Sequence, residues 1–325
     1  MIRLAAIGTF LLALATVPGV TQGYRPPAHT QPAPLVANAS AGELAMLAEL
    51  GTSIERDRSA GYQLAEHRRL DRALAALLPN RKGVIDAYVV AVALDSDPVF
   101  GREAREAGRV LARRYAASAG RSLVLAGSDG SAASALPMGS PANLAAALAR
   151  VAELMGPEDV LVLYTTSHGA PFGIVYNDGD QGFGAVSPTR LWSMLAQLGI
   201  ERRLLMISAC YSGIFVPVLA SDDGVVLTAS SADRTSFGCQ SDNDWTFFGD
   251  ALINQAMRKP QPLASAAAEA RTLIGGWERK GKLAPSQPQA SIGRRAGSWL
   301  ATLERSLPPA TATVGRPAIA SLVAE

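Results

Sequence analysis

Apolar residues recur along this chain in two patterns that predict alternating strands and helices. Short continuous apolar runs rich in Val, Ile and Leu are typical of strands buried on both faces, and longer runs with helical spacing separate them. The predicted strands are residues 85–94, 122–127, 158–166, 203–209 and 225–230, and the predicted helices are residues 61–79, 100–116, 141–156, 189–199, 247–257, 264–280 and 298–304. This alternation predicts a three-layer α/β/α sandwich with a mostly parallel central sheet.

A β-hairpin is predicted between the third of these strands and the fourth. Residues 173–176 and 182–186 are short apolar segments, and the turn-forming letters NDGDQ separate them. The two aspartates have the spacing of calcium ligands, but the rest of a calcium loop is missing, so a turn is the prediction. Ser187 and Pro188 then open the next helix as its N-cap and first-turn proline.

The two ends of the chain differ in composition from its middle. Arg3 is followed by an apolar run that is short for a membrane span and then by small residues, which is typical of a signal peptide; an uncleaved anchor is the alternative. We therefore expect an exported protein, periplasmic or secreted, with no stable membrane insertion after signal cleavage. The expected organisation is a signal peptide (1–23), a Pro- and Ala-rich linker (24–40), an N-terminal helical segment (41–80), one main domain (81–305) and a disordered tail (306–325).

Composition and charge exclude several classes of function. Among 325 residues 48% are hydrophobic and 18% charged, with a net charge of +2 and only 6% aromatic residues, so neither nucleic acid nor an acidic membrane surface is an expected partner. Three histidines and two cysteines, widely spread, do not predict a Cys–His metal centre. The sequence has no GxSxG elbow and no phosphate-binding glycine loop, and no cofactor is expected.

Two predicted strands end in residues that carry chemistry. One ends in SHG, with His168 and Gly169, and another ends in CYSG, which starts at Cys210. Carboxyl ends of neighbouring parallel strands share one edge of a sheet, where an imidazole can promote thiol ionisation and later protonate a leaving amine. The N–H groups of Gly169 and Cys210 are candidates for an oxyanion hole. The residues alone leave a second reading open, in which Cys210 packs in the core and His168 satisfies a hydrogen bond.

The two blocks together resemble those of the C13 family of cysteine peptidases, the legumain family, in a bacterial exported form. The resemblance extends more weakly from about Ile85 to about Ser291. It implies a caspase-like fold and a peptide or protein substrate. It also implies that Cys210 is the nucleophile, that His168 is the general acid and base, and that the Gly169 N–H lies in the oxyanion hole.

The resemblance also suggests a substrate pocket, with departures from the family. Ser208 stands where legumains carry an acidic residue that helps to bind an asparagine side chain, so asparagine specificity is not implied. Arg102 is the nearest match to a pocket arginine, or else an ordinary arginine at a helix start, and Cys239 is expected to be a bystander thiol. The expected substrate-binding residues are Ser208, Tyr211, Ser230, Ser231, Arg102 and Asp242.

The sequence therefore predicts an exported cysteine endopeptidase that acts through a thioester on Cys210. Two alternatives stay open: a transpeptidase or ligase that uses the same dyad, and a non-catalytic caspase-like binding or scaffold protein. A further hypothesis makes residues 24–80 an inhibitory or docking segment. The sequence carries no prediction of the oligomeric state.

Overall fold

Strands and helices alternate along the chain in the order that the sequence pattern predicts. The computed structural model describes residues 29–30, 38–117, 120–128 and 135–323. The strands are β1 (Ser53–Glu55), β2 (Ala87–Ala93), β3 (Ser122–Leu125), β4 (Val160–Thr166), β5 (Gly169–Ala170), β6 (Gly173–Asp178), β7 (Gly182–Val186), β8 (Arg203–Ser208), β9 (Gly224–Thr228) and β10 (Gln289–Ile292). The helices are α1 (Ala41–Leu50), α2 (Ala60–Ala75), α3 (Pro98–Arg114), α4 (Pro141–Leu154), α5 (Pro188–Gln197), α6 (Val216–Leu219), α7 (Leu263–Lys280) and α8 (Ala296–Leu303).

The central sheet has six strands in the order β10–β9–β8–β4–β2–β3. The five strands from β9 to β3 are parallel, and β10 runs antiparallel at one edge. Every residue of β2, β4, β8 and β9 is buried, because helices cover both faces of the sheet. Each large aliphatic side chain buried in this way contributes about 1.5–3 kcal/mol to folding.

The two faces of the sheet belong to two separate apolar cores. Val89, Val162 and Leu204 point to one face and pack with residues of α3, α7 and α8. Val90 and Leu163 point to the other face and pack with residues of α2, α4, α5 and α6. The three-layer α/β/α sandwich with a mostly parallel sheet is therefore confirmed.

The chain changes direction within the sheet between β2 and β4. From β2 it passes by α3 to β3 on one side, and it then returns by α4 to β4 on the other side. A crevice opens outside the carboxyl ends of the strands at such a switch point, and ligands bind there. A functional site is therefore expected at the segments that follow β2 and β4.

A second, antiparallel sheet lies over this edge in the order β1–β7–β6–β5. The predicted hairpin forms its centre, with Val175 opposite Ala185. The end of β6 meets the end of β2, where the Asn177 N–H donates to the Leu94 carbonyl at 3.0 Å. Periodicity did not predict β1, β5 or β10, because runs of two to four residues carry too little pattern.

Helix starts follow the sequence signals closely. Ser187 caps α5, since its side chain accepts a hydrogen bond from the Arg190 N–H, and Pro188 is the first helical residue. The predicted helix over residues 247–257 is wound as a π-helix across Gly249–Ala256. A Cβ atom at Gly249 would lie 2.1 Å from the Glu103 carboxylate, so this segment packs very closely on α3.

Both ends of the described chain pack on the main domain. Residues 41–80, the expected N-terminal helical segment, pack on the main domain: β1 pairs with β7, and α1 packs on α5 and β7. The expected signal peptide, and most of the linker, lie outside the described residues. Within the part that is described, no helix has the length and apolar character needed to cross a membrane.

The expectation of a disordered tail is wrong for the described residues 306–323. The Val314 carbonyl accepts from the Trp245 indole at 2.9 Å, and Asn254 pairs with both backbone groups of Val314. The Ala318 N–H donates to the buried Asp250 carboxylate at 2.8 Å. These buried polar groups need partners, and the tail supplies them.

Deleting residues 308–325 is expected to lower the free energy of unfolding by at least ~2 kcal/mol, since buried donors and acceptors lose their partners. Urea denaturation measures the change. Asn254→Ala serves as the matched variant: it should destabilise the full chain more than the truncated chain, because truncation has already removed the bonds to Val314 and leaves only those to Asp250 and Arg258. An unchanged urea midpoint after truncation would show that the tail contributes nothing.

Candidate active site

The parallel pairing of β4 with β8 brings the SHG block and the CYSG block to one level of the sheet. Thr166 lies opposite Ser208 in this register, and the Ser167 N–H donates to the Ser208 carbonyl at 3.2 Å. His168 and Cys210 each follow by two residues. The two side chains expected at one edge of the sheet therefore leave neighbouring strands at the same edge.

Gly169 lies directly against the backbone of Cys210. A Cβ atom at position 169 would stand 2.0 Å from the Cys210 carbonyl oxygen and 2.9 Å from its nitrogen. Only glycine fits at this distance. Among the described residues, the Cys210 N–H donates to no acceptor. It is therefore available, beside Gly169, as a donor of the expected oxyanion hole.

The Cys210 thiol is half-buried and lies against Ser236. The Ser236 N–H donates to Cys210 Sγ at 3.2 Å, and the sulfur lies 3.6 Å from both the carbonyl and the hydroxyl oxygen of Ser236. These contacts with one residue hold the sulfur in place. Cys210 also belongs to none of the apolar clusters formed by the described residues, which argues against a packing role.

A tight turn after Cys210 is held by a reciprocal pair of serines. Tyr211 has a φ of 57°, in the left-handed region that non-glycine residues rarely adopt, and its N–H donates to the Arg234 carbonyl at 2.8 Å. The N–H groups of Ser212 and Ser230 each donate to the other's hydroxyl at 3.2 Å. Backbone in this region costs about 1–3 kcal/mol and is characteristic of functional sites.

The His168 imidazole is held from several sides, with 40% of its side chain exposed. Its Nε2 lies 3.4 Å from Asp97 Oδ2, and its ring stands edge-on to Phe100 with 5.0 Å between the centroids. Its carbonyl accepts from the Val175 N–H of β6 at 3.0 Å. Asp97 is the N-cap residue of α3 but its carboxylate does not cap that helix, so it is free to bond the imidazole.

The surroundings of His168 favour its charged form. The hydrogen bond to Asp97, a contact with the Cys239 thiol and the negative charge of Asp95 together raise the pKa of His168 to about 10, although burial opposes the rise. The same hydrogen bond lowers the pKa of Asp97. At neutral pH His168 and Asp97 therefore form an ion pair, and the imidazolium holds a proton that it can donate.

Cys239, expected to be a bystander, touches this site. Its side chain packs against the apolar cluster that contains Val99 and Phe100 of α3, and it contacts His168. Both cysteines of the chain are free thiols. Any experiment on the thiol of Cys210 therefore needs a control at Cys239.

Two residues expected to bind substrate are buried behind the site. Ser208 is 2% exposed and shares a 3.0 Å hydrogen bond with the Thr246 hydroxyl. Ser230 is 0% exposed, and its hydroxyl donates to the Ala209 carbonyl at 3.3 Å. Neither hydroxyl faces a surface that a substrate can reach in this structure, because both satisfy buried polar groups around the Cys210 turn.

Arg102 bonds the loop of residues 241–244, to which Asp242 belongs. The guanidinium donates to the carbonyls of Ser241 and Asn243 and lies 3.4 Å from the Asp244 carboxylate. Arg102 therefore uses several of its donors to hold the loop. The Asp242 side chain is 82% exposed, and the assignment of Arg102 and Asp242 to a substrate pocket stays a prediction.

Tyr211 and Ser231 are partly exposed on the two segments next to Cys210. The Ser231 hydroxyl donates to Asp233 at 2.7 Å. Their contact with substrate also stays a prediction.

A buried carboxylate links the elements that position His168 and Cys210. Glu103 of α3 is 0% exposed; it accepts from the Tyr164 hydroxyl of β4 at 2.6 Å and from the Thr246 N–H at 2.8 Å. Thr246 in turn bonds Ser208 of β8. This network joins the helix, the two strands that carry His168 and Cys210, and the loop before the π-helix.

Sequence reasoning missed Asp97 and Ser236. A signal for Asp97 was present, because the letters DSDP directly follow the predicted strand that pairs with β4, and carboxyl ends of neighbouring strands share an edge. Ser236 gave no such signal. It lies in an irregular loop, and the sequence does not show which of the loop's serines approaches Cys210.

Comparison with known proteins agrees with this geometry. Residues 139–274 match the model of the Peptidase C13 family, and this range contains both strand-end blocks. A mostly parallel sheet between two helical layers is also the caspase-like architecture that the resemblance implied. No curated protein matches the chain.

Gly169→Ala is expected to disrupt the site, because the added methyl group overlaps the Cys210 carbonyl. We expect a loss of ~1–3 kcal/mol of stability and slower alkylation of the Cys210 thiol, measured by thermal unfolding and intact mass. Gly42→Ala is the control: it lies in helix α1 with open space around it and should be neutral or stabilising. Equal behaviour of the two variants would contradict the close approach.

Asp97→Asn is expected to lower the pKa of His168 from about 10 towards its ordinary value of 6.5, since the hydrogen bond to the carboxylate is its largest cause. Proton NMR of the histidine ring measures the titration, and His29→Ala and His67→Ala assign the signals.

Because the pKa of His168 is higher in the folded protein than in the unfolded chain, its ion pair with Asp97 stabilises the fold most at low pH. Its full contribution to the free energy of unfolding is present below pH 6.5, and this contribution is lost as the pH rises through about 10. The wild type should therefore exceed Asp97→Asn in stability at pH 6, with a gap that narrows towards pH 10. A His168 signal that titrates near pH 6.5 in the wild type would contradict the Asp97–His168 pair.

Proposed function

We propose that this chain, which belongs to the Peptidase C13 family, is a cysteine endopeptidase with Cys210 as nucleophile and His168 as general acid and base. The observation that carries the proposal is the approach of Gly169 to the backbone of Cys210, which brings the two strand-end blocks into one site. Family membership supports peptidase activity in general. The roles of the individual residues, and export of the protein, are our proposals.

The first half of the reaction forms a thioester. The Cys210 thiolate attacks the carbonyl carbon of the scissile peptide bond, and the N–H groups of Gly169 and Cys210 bind the developing oxyanion. The imidazolium of His168 donates its proton to the leaving amine, and the C–N bond breaks. His168 is suited to this step because its partner Asp97 keeps it protonated at neutral pH.

The second half returns the enzyme to its starting state. His168, now neutral, accepts a proton from water as the water oxygen attacks the thioester. The C–S bond breaks, the carboxylic acid leaves, and the thiolate–imidazolium pair forms again. Asp97 acts through His168 and is a positioning residue, and Ser236 stabilises the sulfur through its N–H.

Export remains a proposal that rests on residues 1–23. An exported peptidase encounters protein substrates outside the cytoplasm. The same thioester can also be resolved by an amine, so a peptide nucleophile added to the assay tests for the ligase reaction at the same time.

The test is covalent labelling of the purified protein with peptide acyloxymethyl ketones that carry Asn, Asp, Arg or a small residue before the scissile position. Intact mass reports each adduct, and fluorogenic peptides report turnover. We expect one adduct per chain, absent in Cys210→Ala, and a fall of at least ~10²-fold in labelling rate in His168→Ala.

Cys239→Ser is the matched control for the second thiol at the site. It should keep the adduct if Cys210 is the nucleophile. An adduct that survives in Cys210→Ala and disappears in Cys239→Ser would overturn the assignment. A folded wild type that accepts no probe and cleaves no peptide would favour a non-catalytic binding protein.

A further inference from the structure

Beside the site, His29 lies close to two carboxylates at the end of β2. His29 Nε2 is 3.8 Å from Asp95 Oδ1 and 4.0 Å from Asp97 Oδ1. One ligand atom from each of the three side chains falls within 4.8 Å of the others. Separations of 3.8 and 4.0 Å are too long for direct hydrogen bonds. They do suit two atoms bound to one ion, since two ligands at ~2.1 Å from an ion lie up to ~4.2 Å apart.

Asp95 is the strongest sign that a group is held here. Its side chain is 0% exposed, and Oδ1 accepts from the Asp97 N–H at 2.8 Å. Within the described part of the chain, Oδ2 has no hydrogen-bond partner. A buried carboxylate that is short of donors is costly, and a cation bound to that carboxylate offsets the cost.

Asn177 provides a second, independent sign. Its amide lies 3.1 Å from His29 Nδ1, placed with the NH₂ group towards the ring, and its Oδ1 is buried with no partner among the described residues. The two orientations of an amide are nearly indistinguishable by shape. Turned by 180°, Asn177 Oδ1 accepts the Nδ1–H of His29, which leaves the lone pair on Nε2, the nitrogen that lies 3.8 Å from Asp95 and 4.0 Å from Asp97. Histidines that bind metals are oriented in this way by a second partner.

The segment that carries His29 is itself anchored. The Thr30 N–H donates to the Asp180 carboxylate at 2.8 Å. The Ser96 hydroxyl accepts from the Gly179 N–H at 3.0 Å and, in this tautomer, donates to His29 Nε2 at 2.8 Å. The imidazole is therefore held in place by groups on both neighbouring segments.

We propose that His29, Asp95 and Asp97 form a binding site for one divalent transition-metal ion of the zinc class. One imidazole nitrogen with two carboxylates is a donor set of zinc and its neighbours, whereas calcium and magnesium prefer oxygen alone. The Ser96 hydroxyl is the nearest candidate for a further ligand. The ion fastens His29 to the edge of the sheet that carries His168.

The test uses Co²⁺ as a spectroscopic probe, added to the full chain after dialysis against a chelator. Visible absorption bands report the coordination of bound Co²⁺, and a near-ultraviolet band reports any bond to thiolate sulfur. We expect one Co²⁺ per chain with nitrogen and oxygen ligands and no thiolate band. Added Zn²⁺ should displace the Co²⁺.

Variants identify the ligands without any measurement of peptidase activity, so this test and that of the proposed function fail independently. His29→Ala should weaken binding by at least ~10²-fold, and Asn177→Ala by ~10–100-fold, as the loss of a ligand-orienting partner does. His67→Ala, at an exposed histidine of α2, is the matched control and should bind like the wild type. Circular dichroism verifies that each variant is folded.

Three results would overturn the proposal: no Co²⁺ bound to the folded wild type, unchanged binding in His29→Ala, or a thiolate band that places the ion on Cys210 or Cys239. In the first case His29 is only a polar neighbour of the two aspartates.

Discussion

The site depends first on the parallel register between β4 and β8. Because Thr166 lies opposite Ser208, the two strands end at one level, and the next two residues of each deliver His168 and Cys210 to the same edge. A shift of the register by one residue would turn every side chain of one strand to the opposite face. Both cores fix the register, since each strand alternates between them and is buried on both sides.

Features of the fold that leave a periodic pattern in the sequence could be predicted, whereas features that depend on tertiary contacts could not. The apolar runs predicted the five parallel strands, and the strand-end rule with the family resemblance selected His168 and Cys210. The burial of Ser208 and Ser230 was not predictable, because a serine near a nucleophile can face substrate or satisfy a backbone group behind it. Only the partners Thr246 and Ala209 distinguish these cases.

Glu103 shows a second limit of sequence patterns. It lies in a helix with arginines before and after it, where a carboxylate is typical of a solvated face. The structure buries it completely and satisfies both oxygens with Tyr164 and Thr246. Neither donor is near Glu103 in sequence, so the network appears only when α3 packs across the sheet. The tail was misjudged for the same reason, since its Pro- and Ala-rich composition does not reveal that Trp245 and Asn254 need acceptors.

Two aspartates, separated by one residue, acquire opposite properties from their surroundings. Burial raises the pKa of Asp95 to about 6, whereas the hydrogen bond to His168 lowers the pKa of Asp97. Asp97 also stands at the N-terminus of α3, where the helix dipole favours a negative charge. Asp97 is thus held ionised as the partner of His168, while Asp95 remains short of positive charge and donors. One edge of the sheet therefore provides both an oriented imidazolium and a buried carboxylate of which one oxygen, Asp95 Oδ2, has no hydrogen-bond partner among the described residues.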